Sequence, residues 1–145
     1  MSPEQFFQEL LCKLYALEYF YKTAHWTVSR SIYYGDHLLF DRLSEEAGER
    51  TDQVAEKAIG VTGNISIVNL PAVLKRVYAI ITPLSYENTE NSKYFEDGLK
   101  LEQSLLEFCK SNSQTAPSFG TQNMLQDIAD EAEGRVYLIK QRLKK

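Results

Sequence analysis

Cysteine is scarce in this chain, and its two thiols lie far apart. Cys12 and Cys109 match neither the spacing of a zinc site nor that of a redox dithiol. We expect both thiols to be buried, reduced and structural, as is usual for a protein of the cytoplasm.

Long apolar runs and an excess of positive charge are also missing. No stretch is apolar for long enough to span a membrane, and the start "MSPEQFFQELLCKLY" has none of the features of a secretory signal. The 16 Lys and Arg are outnumbered by 20 Asp and Glu, which gives a net charge of −4. This balance disfavours a protein that binds nucleic acid with its whole surface, and it suits cations better than anions.

The chain contains mainly helical signals, with no internal repeat and no pair of strand patterns. Its 145 residues, 43% of them apolar, are the size and composition of one globular domain, residues 1–145. Apolar residues recur at helical spacing from a Ser2 N-cap and Pro3 up to His25, and Gln5 stands at the capping-box position. Further helices are predicted over Ile32–Ile59 (ending at Gly60), Pro71–Ile80 (capped by Asn69), Tyr94–Cys109 and Thr121–Leu143.

These four long helices and one short helix predict an all-α protein, with a helix bundle as the leading architecture. The segment "SRSIYYGD" interrupts the first helical pattern, and its Ser29 and Ser31 are candidate caps for the second helix. The segment "YENTENS" is predicted to be a loop.

The only two histidines, His25 and His37, lie at the end of the first helix and the start of the second. An antiparallel hairpin would therefore bring their imidazoles close together. The second helix has two stripes. One is predicted to face the core and consists of Phe40, Leu43, Ala47, Val54 and Ala58. His37 begins the other, which repeats at steps of three and four residues and so occupies one side of the helix. Such a stripe is also typical of a merely solvated face. Its members are His37, Asp41, Glu45, Gly48, Asp52, Glu56 and Ile59.

Asp52 and Glu56 lie one helical turn apart and could converge on one metal ion. Asp52, however, lies fifteen residues beyond His37, which is roughly 22 Å along a helix. Ligand bonds to imidazole or carboxylate are only about 2.0–2.2 Å long, so one chain cannot bring these groups together.

Two chains could complete such a site. If the second helices of two subunits pair antiparallel about a twofold axis, His37 of one chain lies opposite Asp52 and Glu56 of the other. The midpoint falls near residues 45–47, beside the small residues Ala47 and Gly48. Two imidazoles with two carboxylates suit ferrous iron, zinc or manganese.

The residues of this region resemble the Dps mini-ferritins. "HWTVSRSIYYGDH" is followed, fifteen and nineteen residues after its second histidine, by Asp52 and Glu56 within "DQVAEKAIG". The carboxyl-terminal "GTQNMLQDIADEAEGRVYLIKQRL" is similar to the last helix of that family. The family usually has glycine at the position of Arg30 and often has tryptophan at that of Tyr137.

The resemblance implies a ferritin-like four-helix bundle with a short extra helix in the central crossover. It also implies a hollow dodecamer, built from twofold dimers, that oxidises Fe(II) with hydrogen peroxide and stores ferric iron, protecting against oxidative damage. His25, His37, Asp52 and Glu56 would be the ligands of a ferroxidase centre between subunits that takes two irons. Asp41 would be an accessory carboxylate, and Trp26 would lie beside the centre and intercept oxidising equivalents.

Two further expectations follow from the resemblance. Acidic residues of the last helix line iron-admitting pores in the family, and the candidates here are Asp127, Asp130, Glu131 and Glu133. Many relatives bind DNA with a Lys-rich amino-terminal arm. Because the first helix is predicted to begin at residue 3, we expect no direct DNA binding.

Three alternatives stand beside this interpretation. The first is a ferritin with its di-iron site inside one bundle, but that site needs Glu-x-x-His pairs and residues 22 and 34 are Lys and Tyr. The second is a structural helical assembly whose histidines only pack or cap. The third is an assembly that compacts DNA without ferroxidase activity.

Overall fold

The part of the chain that the structure describes forms five α-helices, in the predicted order. The computed structural model describes residues 1–84 and 90–145. The helices are α1 (Pro3–Thr27), α2 (Tyr33–Thr62), α3 (Leu70–Ile81), α4 (Asn91–Asn112) and α5 (Phe119–Leu143). A short 3₁₀ helix, Ile65–Val68, which the sequence pattern did not predict, precedes α3.

The four long helices form a bundle, and α3 lies in the crossover between its two halves. Helices α1 and α2 pack as one antiparallel hairpin and α4 and α5 as the other, with α1 also contacting α3 and α4. The predicted core stripe of α2 is confirmed: its five members are fully buried, namely Phe40, Leu43, Ala47, Val54 and Ala58. Burying a side chain of the size of Phe40 or Leu43 contributes roughly 1.5–3 kcal/mol.

Two predicted caps, Ser2 and Asn69, hold in the structure. Ser2 accepts the backbone N–H of Gln5, and the Gln5 side chain accepts that of Ser2, which completes a capping box. The Asn69 side chain accepts the N–H of Ala72 at the start of α3. These side chains satisfy N–H groups that have no partner within the helix.

The boundaries of α2 differ from the prediction. The helix continues through Gly60 to Thr62, and the C-cap residue Gly63 adopts the left-handed conformation (φ 68°) that closes many helices. Neither Ser29 nor Ser31 caps the start of α2, because the N-cap position is Ile32 and no side chain bonds there. The predicted stop and caps were therefore wrong at both ends of this helix.

Smaller corrections apply to the other helices. Helix α1 continues two residues past His25, and α3 is one residue longer at each end than predicted. Helix α4 already begins at Asn91, within the segment predicted to be a loop, whose residues 86–89 lie outside the described part of the chain. Helix α5 begins at Phe119, because the Ser118 side chain accepts the backbone N–H of Thr121.

Candidate metal centre

The turn between α1 and α2 is short, and a side chain of α4 holds it in place. Residues 28–32 connect the two helices, and Arg30 adopts a left-handed conformation with φ of 76°. Asn91 of α4 clamps the turn: its Nδ2 donates to the Ser29 carbonyl (2.8 Å) and its Oδ1 accepts the Ser29 N–H (3.1 Å). The left-handed backbone explains why glycine suits the position of Arg30, since a side chain is strained there.

This turn brings His25 and His37 into direct contact, as the hairpin argument predicted. Their rings stack with centroids 3.8 Å apart and an interplanar angle of 16°. His25 Nδ1 lies 2.6 Å from the His37 carbonyl oxygen, and His37 Nδ1 lies 2.7 Å from the His25 carbonyl oxygen. The two residues therefore bind each other twice, ring nitrogen to backbone.

The reciprocal bonds determine which nitrogens can bind a metal. A carbonyl oxygen can only accept, so each Nδ1 carries the hydrogen and donates it. In a neutral ring the lone pair is then on Nε2. Histidines that ligate metals commonly donate their other N–H to a backbone carbonyl in this way, which fixes both tautomer and ring orientation. His25 and His37 thus present two oriented Nε2 lone pairs side by side.

Asp41 is the carboxylate nearest to this pair. Its Oδ1 lies 3.8 Å from His25 Nε2 and 3.1 Å from Lys22 Nζ. The hydrogen bond from Lys22 is the main reason why the pKa of Asp41 lies below its ordinary value. Asp41 is therefore ionised at neutral pH. It lies one helical turn beyond His37, where its carboxylate can contact a metal bound at the histidines directly or through another ligand.

Two aromatic side chains flank the histidines. Tyr33 stacks on His37, with ring centroids 5.1 Å apart and an interplanar angle of 26°. Trp26 follows His25 directly and is 68% exposed. An indole so exposed does not pack in the core of its own chain.

The structure does not bring Asp52 and Glu56 to the histidines. Helix α2 runs without a break from Tyr33 to Thr62, so the fifteen residues from His37 to Asp52 correspond to about 22 Å along its axis. Both carboxylates are exposed, on the same side of α2 as the half-buried His37. Among the residues that the structure describes, no three His, Cys, Asp or Glu side chains are grouped closely enough to hold a metal ion.

A small residue lies at the centre of the α2 stripe that begins at His37. Gly48 is half-buried, and the nearest atoms that a Cβ added to it would meet belong to the carboxyl group of Glu18 of α1, 3.0 Å away. Ala47, the other small residue predicted near the midpoint, is fully buried in the core of its own bundle. Of these two, only Gly48 lies on the outer surface of α2.

The acidic side chains of α5 do not share one environment. Asp127, Asp130 and Glu133 are exposed. Glu131 binds within its own chain, where its carboxylate oxygens accept from Arg50 Nε at 2.8 and 2.9 Å. The exposed three remain candidates for the lining of a pore, whereas Glu131 has a local partner on α2.

One group of residues important for this region was not found from the sequence. Asp36, in the first turn of α2, is buried and is bound by Arg142 of α5 and Asn91 of α4. These partners are 106 and 55 residues away. An acidic residue in the first turn of a helix is ordinary by itself, so its partners could not have been inferred.

The helical architecture and this paired-histidine turn define the class of the protein. The chain belongs to the ferritin-like family: the family model described as a ferritin-like domain matches residues 4–145. The predicted all-α, ferritin-like bundle is thereby confirmed. No curated protein sequence matches the chain significantly. None of the described helices has the length and apolar character needed to cross a bilayer.

Solved structures of Dps proteins share this fold. A Dps mutant from Listeria innocua superposes with a TM-score of 0.85 at 18% identity, covering 99% of this chain and 96% of that chain. Dps from Thermosynechococcus elongatus gives 0.82 at 15% identity, covering 99% and 90%. Dps from Microbacterium arborescens, in its high iron form, gives 0.81 at 16% identity, covering 99% and 93%. The fold therefore agrees with the resemblance that the histidine motif carries.

Proposed function

We propose that this protein is a mini-ferritin of the Dps type. It oxidises Fe(II) with hydrogen peroxide at centres between subunits and stores the ferric product in a hollow dodecamer of the cytoplasm. The observation that carries this proposal is the reciprocal pair of His25 and His37, whose Nε2 atoms are oriented side by side. Two imidazoles fixed in this way are half of a ligand set for a divalent metal.

The other half comes from a neighbouring subunit. Asp52 and Glu56 are exposed, one turn apart, and about 22 Å from the histidines along an unbroken helix. Antiparallel pairing of two α2 helices about a twofold axis places these carboxylates of one subunit opposite the histidines of the other. Gly48, half-buried near the midpoint, has no side chain that would stand between the two helices.

Each side chain then has a defined role. His25, His37, Asp52 and Glu56 bind two Fe(II) ions per site as substrate, and Asp41 is an accessory ligand that attracts the cations. A peroxide molecule takes one electron from each of the two ferrous ions and, with two protons, gives two water molecules. Because both electrons arrive together, no hydroxyl radical is released. Trp26 lies beside the centre and intercepts oxidising equivalents that escape this pairing.

The net charge of −4 favours entry and storage of cations over binding of DNA. Asp127, Asp130 and Glu133 are exposed acidic side chains that could guide Fe(II) through pores of the assembled shell. We accordingly expect no gel shift of DNA at physiological salt. A particle of about twelve times the chain mass of 16.7 kDa is expected in sedimentation.

Subunit mixing tests the shared site directly. His25→Ala and Asp52→Ala should each abolish most peroxide-dependent oxidation of Fe(II). When the two variants are dissociated and reassembled together, some sites receive an intact histidine pair and intact carboxylates, so part of the activity should return. Two inactive variants that stay inactive after verified subunit exchange would show that the ligands do not come from different chains. An assembly of normal size without any oxidation would instead indicate a structural role.

A further inference from the structure

The centre of the bundle contains a buried ionic cluster to which each of the four long helices contributes one side chain. Tyr21 comes from α1, Glu46 from α2, Glu102 from α4 and Arg135 from α5. Tyr21 and Glu102 have no exposed surface, and Arg135 is 1% exposed. Only Glu46, whose side chain is 31% exposed, faces outward.

The contacts converge on one carboxylate. Arg135 donates from Nε to Glu102 Oε2 (2.7 Å) and from Nη2 to Glu102 Oε1 (3.1 Å). The Tyr21 hydroxyl donates to Glu102 Oε2 at 2.6 Å. Within the described part of the chain, the buried Arg135 Nη1 has no hydrogen-bond acceptor, and it lies 3.7 Å from Glu46 Oε1. The guanidinium therefore stands between two carboxylates.

A di-iron site is expected at this place in many ferritin-like proteins. There, two helices each give a glutamate and two others each give a Glu-x-x-His pair, all pointing inward. In this chain, Leu105 lies three residues after Glu102, and Glu49 lies three residues after Glu46. Both histidines are at the α1–α2 turn instead. The groups at the bundle centre thus do not fit a di-iron site, because histidines are absent and a fixed cation is present.

We propose that Arg135 is a built-in cation that occupies the place of a metal and closes the bundle centre to divalent ions. Two carboxylates and a phenol oxygen are a set of oxygen donors of the kind that Mn(II) accepts. Arg135 neutralises the charge of Glu102 and lies 3.7 Å from Glu46, so an ion that entered between these carboxylates would meet a like charge. The proposal has a second part, which is that iron is thereby confined to the boundary between subunits. This second part rests on the proposed function.

Replacement of Arg135 tests the first part without depending on ferroxidase activity. The experiment uses the full chain carrying Asp52→Ala and Glu56→Ala, which removes the carboxylates of the proposed intersubunit site. In this background, Arg135→Gln removes the charge and leaves a shorter polar side chain, with room for an ion between the carboxylates. The Mn(II) ion is the probe, with electron paramagnetic resonance and calorimetry as readouts. Arg135→Gln should gain about one Mn(II) per chain, and the added ion should raise Tm.

Three control variants define the result. Arg135→Lys keeps a buried cation and should bind Mn(II) at least about tenfold more weakly than Arg135→Gln, because the ammonium group repels the ion. Arg50→Gln removes a surface partner of Glu131 and should gain no site. Adding Glu102→Gln to Arg135→Gln should abolish the gained site, because its central ligand is lost.

The possible outcomes separate clearly. A folded Arg135→Gln chain that takes up no Mn(II) overturns the proposal, as does equal uptake by Arg135→Lys. If Arg135→Gln is unfolded alone, refolding upon addition of Mn(II) supports the proposal and failure to refold contradicts it. If the proposed function fails, the chain with intact Asp52 and Glu56 binds no metal at the boundary between subunits. The comparison of Arg135→Gln with Arg135→Lys is then unchanged, so the two failures are distinguishable.

Discussion

Arg142 and Asp36 form a bidentate ion pair that joins the end of α5 to the first turn of α2. Arg142 Nε lies 2.7 Å from Asp36 Oδ1 and Nη2 lies 2.8 Å from Oδ2. Asn91 Nδ2 donates to the same Oδ2 at 3.0 Å. Because His37 follows Asp36 directly, this pair fixes the start of the helix on which the histidine lies.

The first prediction concerns this ion pair. Arg142→Met should leave the buried Asp36 without its cation and lower the free energy of unfolding by about 3 kcal/mol. Arg42→Met is a suitable control, because Arg42 is 65% exposed and pairs with Glu46 only one turn away. It should cost about 0.5 kcal/mol or less. Equal losses in urea unfolding of the two variants would contradict a special role of the Asp36 pair.

The second prediction concerns Tyr33, whose ring stacks on His37. Tyr33→Ala removes this support, so His37 should become more mobile and Co(II) binding at the histidines should weaken about tenfold, in the range seen when outer-shell partners are lost. Tyr34→Ala is the matched control, since the neighbouring Tyr34 is 69% exposed. Co(II) titration followed by absorption measures both. Equal weakening in the two variants would show that the stacked ring is not the cause.

The third prediction concerns the strained turn. Arg30 has φ of 76°, a conformation that costs a non-glycine residue roughly 1–2 kcal/mol. Arg30→Gly should therefore raise the free energy of unfolding by about 1 kcal/mol. Arg30→Ala retains a Cβ and should bring no such gain. If both variants are stabilised equally, the long side chain rather than the backbone is responsible.

A fourth prediction compares two glycines inside helices. A Cβ at Gly98 would lie 2.8 Å from Cε1 of Tyr21, a fully buried ring whose hydroxyl is bound to Glu102. Gly98→Ala should therefore cost about 1–3 kcal/mol through overpacking. At Gly134 a Cβ meets nothing within 4 Å, so Gly134→Ala should gain about 0.5–1 kcal/mol of helix stability. Thermal unfolding of both variants gives the comparison, and a stabilised Gly98→Ala would contradict the packing argument.

The fifth prediction concerns stability at alkaline pH. Burial raises the pKa of the Cys109 thiol from 9.0 to about 11, and nearby Lys13 opposes this only in part. Above pH 9 the unfolded chain therefore loses a proton that the folded chain retains. Stability from this group is complete below about pH 9 and falls as the pH rises toward 11, with a slope of up to about 1.4 kcal/mol per pH unit.

Cys109→Val provides the control for this slope, because valine is similar in size and does not titrate. The free energy of unfolding of the variant should fall less steeply between pH 9 and 11. Parallel curves for the two proteins would show that Cys109 does not carry the effect.

Local patterns were enough to predict most of the fold. The capping box of Ser2, the Asn69 cap and the core stripe of α2 depend on neighbours along one helix, and all three are present. The end of α2 was placed wrongly at Gly60, because a helix can continue through a single glycine at a cost of about 1 kcal/mol. Gly63 then provides the left-handed closure.

The candidate site was likewise predictable only where its contacts join residues that are close together in the sequence. The contact between His25 and His37 was predictable, since it depends on a short turn between two recognisable helices. The cluster around Glu102 and the pair of Arg142 with Asp36 were not, because their members are far apart in sequence. Periodicity identifies which face of a helix is buried, but it does not identify which polar residue of another helix will meet it there.

The exposed indole beside His25 has a practical consequence. Trp26 is the only tryptophan of the chain, so excitation at the red edge of the absorption band makes this single site emit. A water-exposed indole emits at long wavelength, and docking of a neighbour would move its emission to the blue, whereas a paramagnetic ion at the imidazoles would quench it. The protein thus carries a natural optical reporter at the place where its neighbours and its substrate are expected to arrive.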